Sequence, residues 1–398
     1  MKYFRLNLIL KGGLTAYCLF MLPAMQLNAQ REAKQIGDFK ESISLNEHLR
    51  GAKRTLQYHP DGDEFVCING KNRYTRALYG RHSPFRVETS DRPVFAFYNN
   101  GRGGNISFKI ILRDGTEVAL DRTGHCESRY SAGKRTYYLT DPSWGKGELR
   151  IVVLALADMD GAIWRFSASN MPKGAILRWQ HGGATGKRLS RNGDMGVDPA
   201  DCFELPAEAA DLVTGELPLQ KEAYLVRGEV PEQSNARKLY QKAEAASLAL
   251  ASRLKIETPD PYLNTLGGAL VAAADGIWDG QVWLHGAIGW RMPLSGWRAG
   301  YTGDALGWHD RARTHFDAYA ASQVTDVPNT IPHPAQDSTM NLARSEKRWG
   351  TPQYSNGYIC RNPGRNNQMH HYDMNLCYID ELLWHFNWMG DTAYVRKM

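Results

Sequence analysis

The residues of this 398-residue chain best suited to chemistry are two carboxylates and a tryptophan-rich segment. Glu381 lies in Leu376-Cys-Tyr-Ile-Asp-Glu-Leu-Leu-Trp-His-Phe386, a run dense with apolar and aromatic side chains. A carboxyl among apolar rings keeps its proton above the usual range and can act as a general acid. Asp373, in Asn366-Asn-Gln-Met-His-His-Tyr-Asp-Met-Asn375, is the second candidate acid. Each has a plainer role open to it: Glu381 could pair with His385 at i+4 on a helix surface, and Asp373 could cap a helix. Neighbouring His370 and His371 point apart, so neither a metal site nor a cofactor is expected. His371 and Asn375 are candidate substrate ligands.

The second feature is Trp283-Leu-His-Gly-Ala-Ile-Gly-Trp-Arg-Met-Pro-Leu-Ser-Gly-Trp-Arg-Ala-Gly-Tyr-Thr-Gly-Asp304. Its glycines, at 286, 289, 296, 300 and 303, exclude a stable helix or an ordinary strand and predict a shaped loop. Trp290 and Trp297 offer flat faces for sugar C–H groups. Arg291 and Arg298 offer forked donors for hydroxyls or carboxylates. Asp304 stands just inside the helix that follows, where it either caps free N–H groups or accepts sugar hydroxyls. Filling gaps between helices is the alternative for each Trp.

Two regions must position these groups. From about 45 to 225, short β-branched and aromatic runs alternate with turns, as in Arg92-Pro-Val-Phe-Ala-Phe-Tyr98, Leu149-Arg-Ile-Val-Val-Leu154 and Arg113-Asp-Gly115. That spacing predicts an antiparallel β-sandwich. From about 232 the pattern is helical. Ser234 caps a helix to Leu254. Asp260 and Pro261 open another to about Ala274. A third runs from about Thr302 to Ser322. After a polar stretch, 323–368, a fourth spans about 374–389 with Leu376, Ile379, Leu383, Phe386 and Met389 as its buried stripe. Gly390 closes it and Asp391 opens a new helix. With no stop signal before Met398, the sequence reads as a truncated copy of a longer protein.

Residues 1–29 have a basic start, an apolar run from Leu14 to Leu22 and Leu27-Asn28-Ala29, which is the grammar of a cleaved export signal. The mature protein is expected in the periplasm or on the outer surface, with no other membrane contact. The net charge is +6, half of it from Lys2, Arg5 and Lys11, too little for a nucleic-acid binder. The five other cysteines (Cys67, Cys126, Cys202, Cys360 and Cys377) are scattered and form no disulfide scaffold. Gly182-Gly-Ala-Thr-Gly-Lys187 lacks the spacing of a phosphate-binding loop.

A secreted sandwich, a linker helix and helical hairpins with a Trp/Gly-rich first loop resemble the six-hairpin, (α/α)6-toroid glycosidases. Gly300-Tyr-Thr-Gly-Asp304 is similar to the Gly-Trp-x-Gly-Asp motif of bacterial α-rhamnosidases, and the resemblance implies that Asp304 holds a sugar. Trp388-Met-Gly-Asp391 is similar to a hairpin turn common in those barrels. Cys67-Ile-Asn-Gly-Lys-Asn-Arg-Tyr-Thr-Arg-Ala-Leu-Tyr79 resembles the start of a Bacteroidetes family known as domain of unknown function 4450. The chain departs from the rhamnosidases in having no acid between Asp279 and Asp304, so their general acid has no counterpart in this loop.

The resulting expectation is a multidomain β + α protein: a signal at 1–29, a sandwich at 30–230, a linker helix at 231–258 and an incomplete toroid at 259–398. It would be an exported glycoside hydrolase, inverting, acting on polysaccharide side chains, with its general base beyond residue 398 and the fragment inactive alone. Its partner would be an oligo- or polysaccharide; its oligomeric state is open. The alternatives are a polysaccharide lyase acting on uronates and a non-catalytic glycan-binding protein.

Overall fold

A computed structural model describes residues 57–71, 74–99, 102–183, 212–219, 222–286, 291–293, 300–323 and 372–398, with Thr325, Gly357, Ile359 and Pro363 besides. Residues 1–29, most of the polar stretch, Cys202, Cys360, Trp290, Trp297, Arg298 and His371 lie outside the described residues, as does the side chain of Asp373. Gln57–Met398 forms one compact unit.

Among the described residues, fourteen strands build two antiparallel sheets. The first runs β1 (His59–Asp61), β2 (Glu64–Ile68), β8 (His125–Ser131), β9 (Lys134–Thr140), β10 (Glu148–Ala155), β11 (Gly161–Ser169) and β14 (Ala223–Gly228). The second runs β13 (Val213–Pro218), β12 (Ile176–Gly183), β6 (Arg102–Ile111), β5 (Phe95–Asn99), β4 (Arg86–Ser90) and β3 (Tyr74–Leu78), with β7 (Glu117–Ala119) beside β6. Alternation decides the faces. In β8, Cys126, Ser128 and Tyr130 are buried and the residues between them half-buried. Phe95 sits at the centre of the sandwich, edge-on to Phe108, Tyr137 and Trp164 at ring separations of 5.5–5.8 Å.

β10 is apolar on both faces because both are covered. Leu149, Ile151 and Val153 join the sandwich core. Val152 and Leu154 face outward, onto Tyr240 and Ala243 of helix α1 (Ala236–Ala251). That helix is capped by Asn235, whose Oδ1 accepts the Lys238 N–H at 3.1 Å, one residue later than the sequence expectation at Ser234.

The remaining helices are α2 (Pro261–Gly276), α3 (Gly300–Ala305), α4 (His309–Ala320), α5 (Tyr372–Met389) and α6 (Thr392–Lys397). Asp260 caps α2 with Pro261 in its first turn, and Asp391 caps α6, both as expected. Two expectations fail. The helix read from 302 to 322 is broken into α3 and α4 at Gly307, whose φ of +72° suits glycine and ends a helix. The stripe chosen for the buried side of α5 also faces the wrong way. Leu376 is 70% exposed, Ile379 54% and Leu383 48%, while Met374, Tyr378, Glu381, Leu382 and His385 are buried. Both faces carry apolar residues, so hydrophobicity alone does not choose between them. The inner face also has polar anchors: Tyr378 donates to the Phe316 carbonyl at 2.8 Å and His385 bonds Asp304.

Trp278, Trp283 and Trp308 fill the second core, around Val271, Ala312, Phe316, Tyr319, Tyr378 and Leu382. For these three the gap-filling role is the one observed. No described helix is long and apolar enough to cross a membrane.

Candidate active site

Helix α3 is wedged against its neighbours at two glycines. A Cβ on Gly300 would lie 2.2 Å from Glu381 Oε2, and one on Gly303 would lie 2.4 Å from the Trp283 ring. Both distances are too short for any side chain, so the spacing of the glycines in Gly300-Tyr-Thr-Gly-Asp304 is a packing requirement. It brings the start of α3 onto the buried face of α5, and with it the acid.

Glu381 is 2% exposed. Neither carboxyl oxygen has a hydrogen-bond partner among the described residues. The Gly300 amide lies close enough to favour the ionised form, without outweighing burial. Burial, with a smaller contribution from the neighbouring charge of Asp380, pushes the carboxyl up to about 8. Glu381 therefore holds its proton at neutral pH.

Facing it from α4 is His315, also fully buried, with Nε2 3.9 Å from Glu381 Oε2. The Nδ1 atom of His315 accepts the Trp283 backbone N–H at 3.2 Å, so the ring hydrogen resides on Nε2 and points to the Glu381 side. Burial pushes this imidazole down to about 3. Two titratable groups thus lie side by side in the buried core with neither of them charged.

One turn further along α5 the arrangement is different. His385 Nδ1 lies 2.8 Å from Asp304 Oδ2 and 3.0 Å from Oδ1, and His309 Nδ1 lies 2.8 Å from Oδ1. A carboxylate can only accept, so both imidazoles carry their hydrogen on Nδ1. Nε2 of His385 is buried and has no partner. Asp304 is near the C-terminal end of α3 and caps nothing there. Both of its oxygens accept from the histidines. Glu381 and His385 share one helix face, but they are buried and each turns to a different partner, so the exposed i+4 pair does not form. No group of three His, Cys, Asp or Glu among the described residues is arranged to hold a metal.

The other candidates are spread out. Arg291 Nη1 donates to the Gly276 carbonyl at the end of α2, at 3.2 Å. Asn375 is bound to the backbone of Ile359 in both directions, accepting its N–H at 2.8 Å and donating to its carbonyl at 3.2 Å. Cys67, Cys126 and Cys377 are free thiols. His309 and His315 were missed by sequence reasoning. The available signal was the α4 stripe Ala312, His315, Phe316 and Tyr319, which puts His315 on the inner side.

Comparison with known proteins gives one family match, and it falls in the sandwich region. The family model described as Domain of unknown function (DUF4450) matches residues 100–212. The resemblance to that family therefore stands, carried by the strands from β6 to β12 and not by Cys67–Tyr79, where the sequence first suggested it. Among solved structures, a bacterial glucoamylase complexed with acarbose is similar, with a TM-score of 0.40 and 9% identity. The match covers 67% of this chain and 55% of the glucoamylase, so this chain spans little more than half of that protein. No curated protein matches the sequence.

Proposed function

We propose that this chain is an exported carbohydrate-active protein, a glycoside hydrolase in which Glu381 protonates the departing glycosidic oxygen. One observation carries the reading: a buried carboxyl, protonated at neutral pH, at the foot of a segment rich in Gly, Trp and Arg. Glycosidic cleavage needs an acid that still holds its proton near the working pH. Burial supplies that acid here without a second carboxylate beside it. Asp304 acts by fixing His385 and His309, with the free Nε2 of His385 as the polar atom it orients. Trp290, Trp297, Arg298 and His371 are assigned to sugar binding on their chemistry alone. The helices from α2 onward are read as the first hairpins of an (α/α)6 toroid, and inversion as the stereochemical outcome. The lyase alternative is weakened because Asn375, which it placed beside a uronate, is spent on Ile359.

Two measurements test this. Infrared spectra at pH 7 should show a protonated carboxyl band in the wild type that is absent in Glu381→Gln. A panel of plant and host oligosaccharides should bind the chain, and any release of reducing ends should come without the absorbance of an unsaturated uronate. Glu381→Gln should keep binding and lose about 10²-fold or more of the release. Failure to bind any glycan ends the carbohydrate reading. Full activity in Glu381→Gln ends the role given to the acid.

A further inference from the structure

Away from Glu381, a cavity of about 290 Å³ lies where the sandwich meets α1, α2 and α4. Its walls are made of small residues: Gly133 in the turn after β8, Ala155 at the end of β10, Ala243 and Ala246 on α1, and Ala272 on α2. These leave a space that larger aliphatic side chains would fill.

One end of the cavity is polar. Arg311 gives Nη1 to Asp275 Oδ1 at 2.7 Å, and His82, from the sandwich, meets the same oxygen through Nε2 at 3.1 Å. Burial alone would raise the Asp275 carboxyl, but the His82 and Arg311 hydrogen bonds and charges outweigh it and hold it below its ordinary value. Arg253 gives Nε and Nη2 to the Leu306 carbonyl at 3.3 and 3.2 Å, and Nη2 also to Gly307 at 3.3 Å. Both guanidinium groups lie over the ring of Trp308, at 4.3 Å for Arg311 and 5.2 Å for Arg253. The aromatic ring and the carbonyls hold the two forks in place before any ligand arrives, which lowers the ordering penalty of binding. Nη1 of Arg253, and Nε and Nη2 of Arg311, have no partner among the described residues. Arg311 thus pairs with the Asp275 carboxylate, and Arg253 adds a second cation to the same cavity wall.

From this geometry we infer that the cavity binds a small organic anion, a carboxylate-bearing molecule of monosaccharide size, with its carboxylate on Arg311 and Arg253 and its carbon skeleton against the alanine wall. Guanidinium forks match carboxylates in geometry and charge. The volume lies just below the range of drug-sized pockets, which starts at about 300 Å³, and so suits a smaller ligand. Because the walls come from the sandwich and from three helices, the ligand would tie them together. The inference does not depend on Glu381.

Calorimetric titration and thermal unfolding at constant ionic strength, with sodium D-glucuronate, D-glucose and sodium sulfate as probes, test it. Glucuronate should bind one to one and raise Tm, and glucose and sulfate should bind at least tenfold more weakly. Ala246 is exposed on α1, so Ala246→Phe should obstruct the mouth of the cavity without disturbing the fold. That variant and Arg253→Met should each weaken glucuronate at least tenfold, while Glu381→Gln should leave it unchanged. Absence of glucuronate binding would overturn the proposal. So would glucose binding as well as glucuronate, sulfate binding as well, or undiminished affinity in Ala246→Phe.

Discussion

The sandwich and the helical core bury polar groups by opposite means. In the sandwich a charge is kept and surrounded. Arg135 is fully buried between the rings of Tyr58 and Tyr137, at 5.3 and 5.6 Å, and donates to the Ser90 carbonyl, Ser128 Oγ and Tyr58 Oη. At Glu381 and His315 in the helical core the charge is instead removed by proton placement: Glu381 keeps its hydrogen, and His315 does not take a second one. The first solution is insensitive to pH, since guanidinium does not titrate under ordinary conditions. The second makes the helical core respond to pH. Rigid scaffolding favours the former and acid–base chemistry requires the latter.

Substitution should separate the two. The largest loss is expected in the sandwich, where Trp164→Ala should cost about 3–5 kcal/mol by urea unfolding because its ring is buried among Phe95, Phe97 and Phe108. A value near zero would mean that the sandwich core is not what holds that region. Next is Gly300→Ala. Its new methyl group meets the Glu381 carboxyl, and overpacking of this kind costs about 1–3 kcal/mol. If Ala is tolerated without loss, the wedge between α3 and α5 is looser than described.

The pH profile sharpens the contrast further. For Glu381 the folded value of about 8 exceeds the ordinary 4.5, so its stabilising contribution is complete below pH 4.5 and fades as pH rises toward 8. For His315 the folded value of about 3 lies below the ordinary 6.5, so its contribution is complete above pH 6.5 and fades as pH falls toward 3. The two opposing slopes cancel between about 4.5 and 6.5 and leave a plateau of stability there. Glu381→Gln should abolish the decline on the alkaline side, and an unchanged decline would refute the protonated acid. The smallest effect is expected at Leu376→Ser, within about 0.5 kcal/mol, because that side chain is 70% exposed. A large loss there would show that this face of α5 is covered.

The same division governs what could be read in advance. The strands were legible because alternation and turn chemistry agree, as at Asp114-Gly115, where glycine adopts φ +87°. Helix ends were legible wherever a cap carried its own signal, as at Asp260, Gly390 and Asp391. The direction in which α5 faces was not, because Leu376, Ile379 and Leu383 offer as good a stripe as Met374, Tyr378 and Leu382. What decides between them is hydrogen bonding to distant residues, Asp304 and Phe316, which no local pattern contains. Glu381 was recognised as an acid, but its environment comes from Gly300 and His315, both remote in sequence. Asp304 stood out through a short motif, but its partnership with two histidines appears only when α3, α4 and α5 come together.

The outward face of α5 also has an optical consequence. Among the described tryptophans, Trp144, Trp164, Trp179, Trp278, Trp283 and Trp308 are buried, whereas Trp384 and Trp388 are 50% and 55% exposed. The chain should therefore fluoresce as two populations, one blue-emitting and shielded from acrylamide, the other red-shifted and readily quenched. Any molecule that settles on that face will move the second population toward the first, so the surface reports its own occupancy without a label.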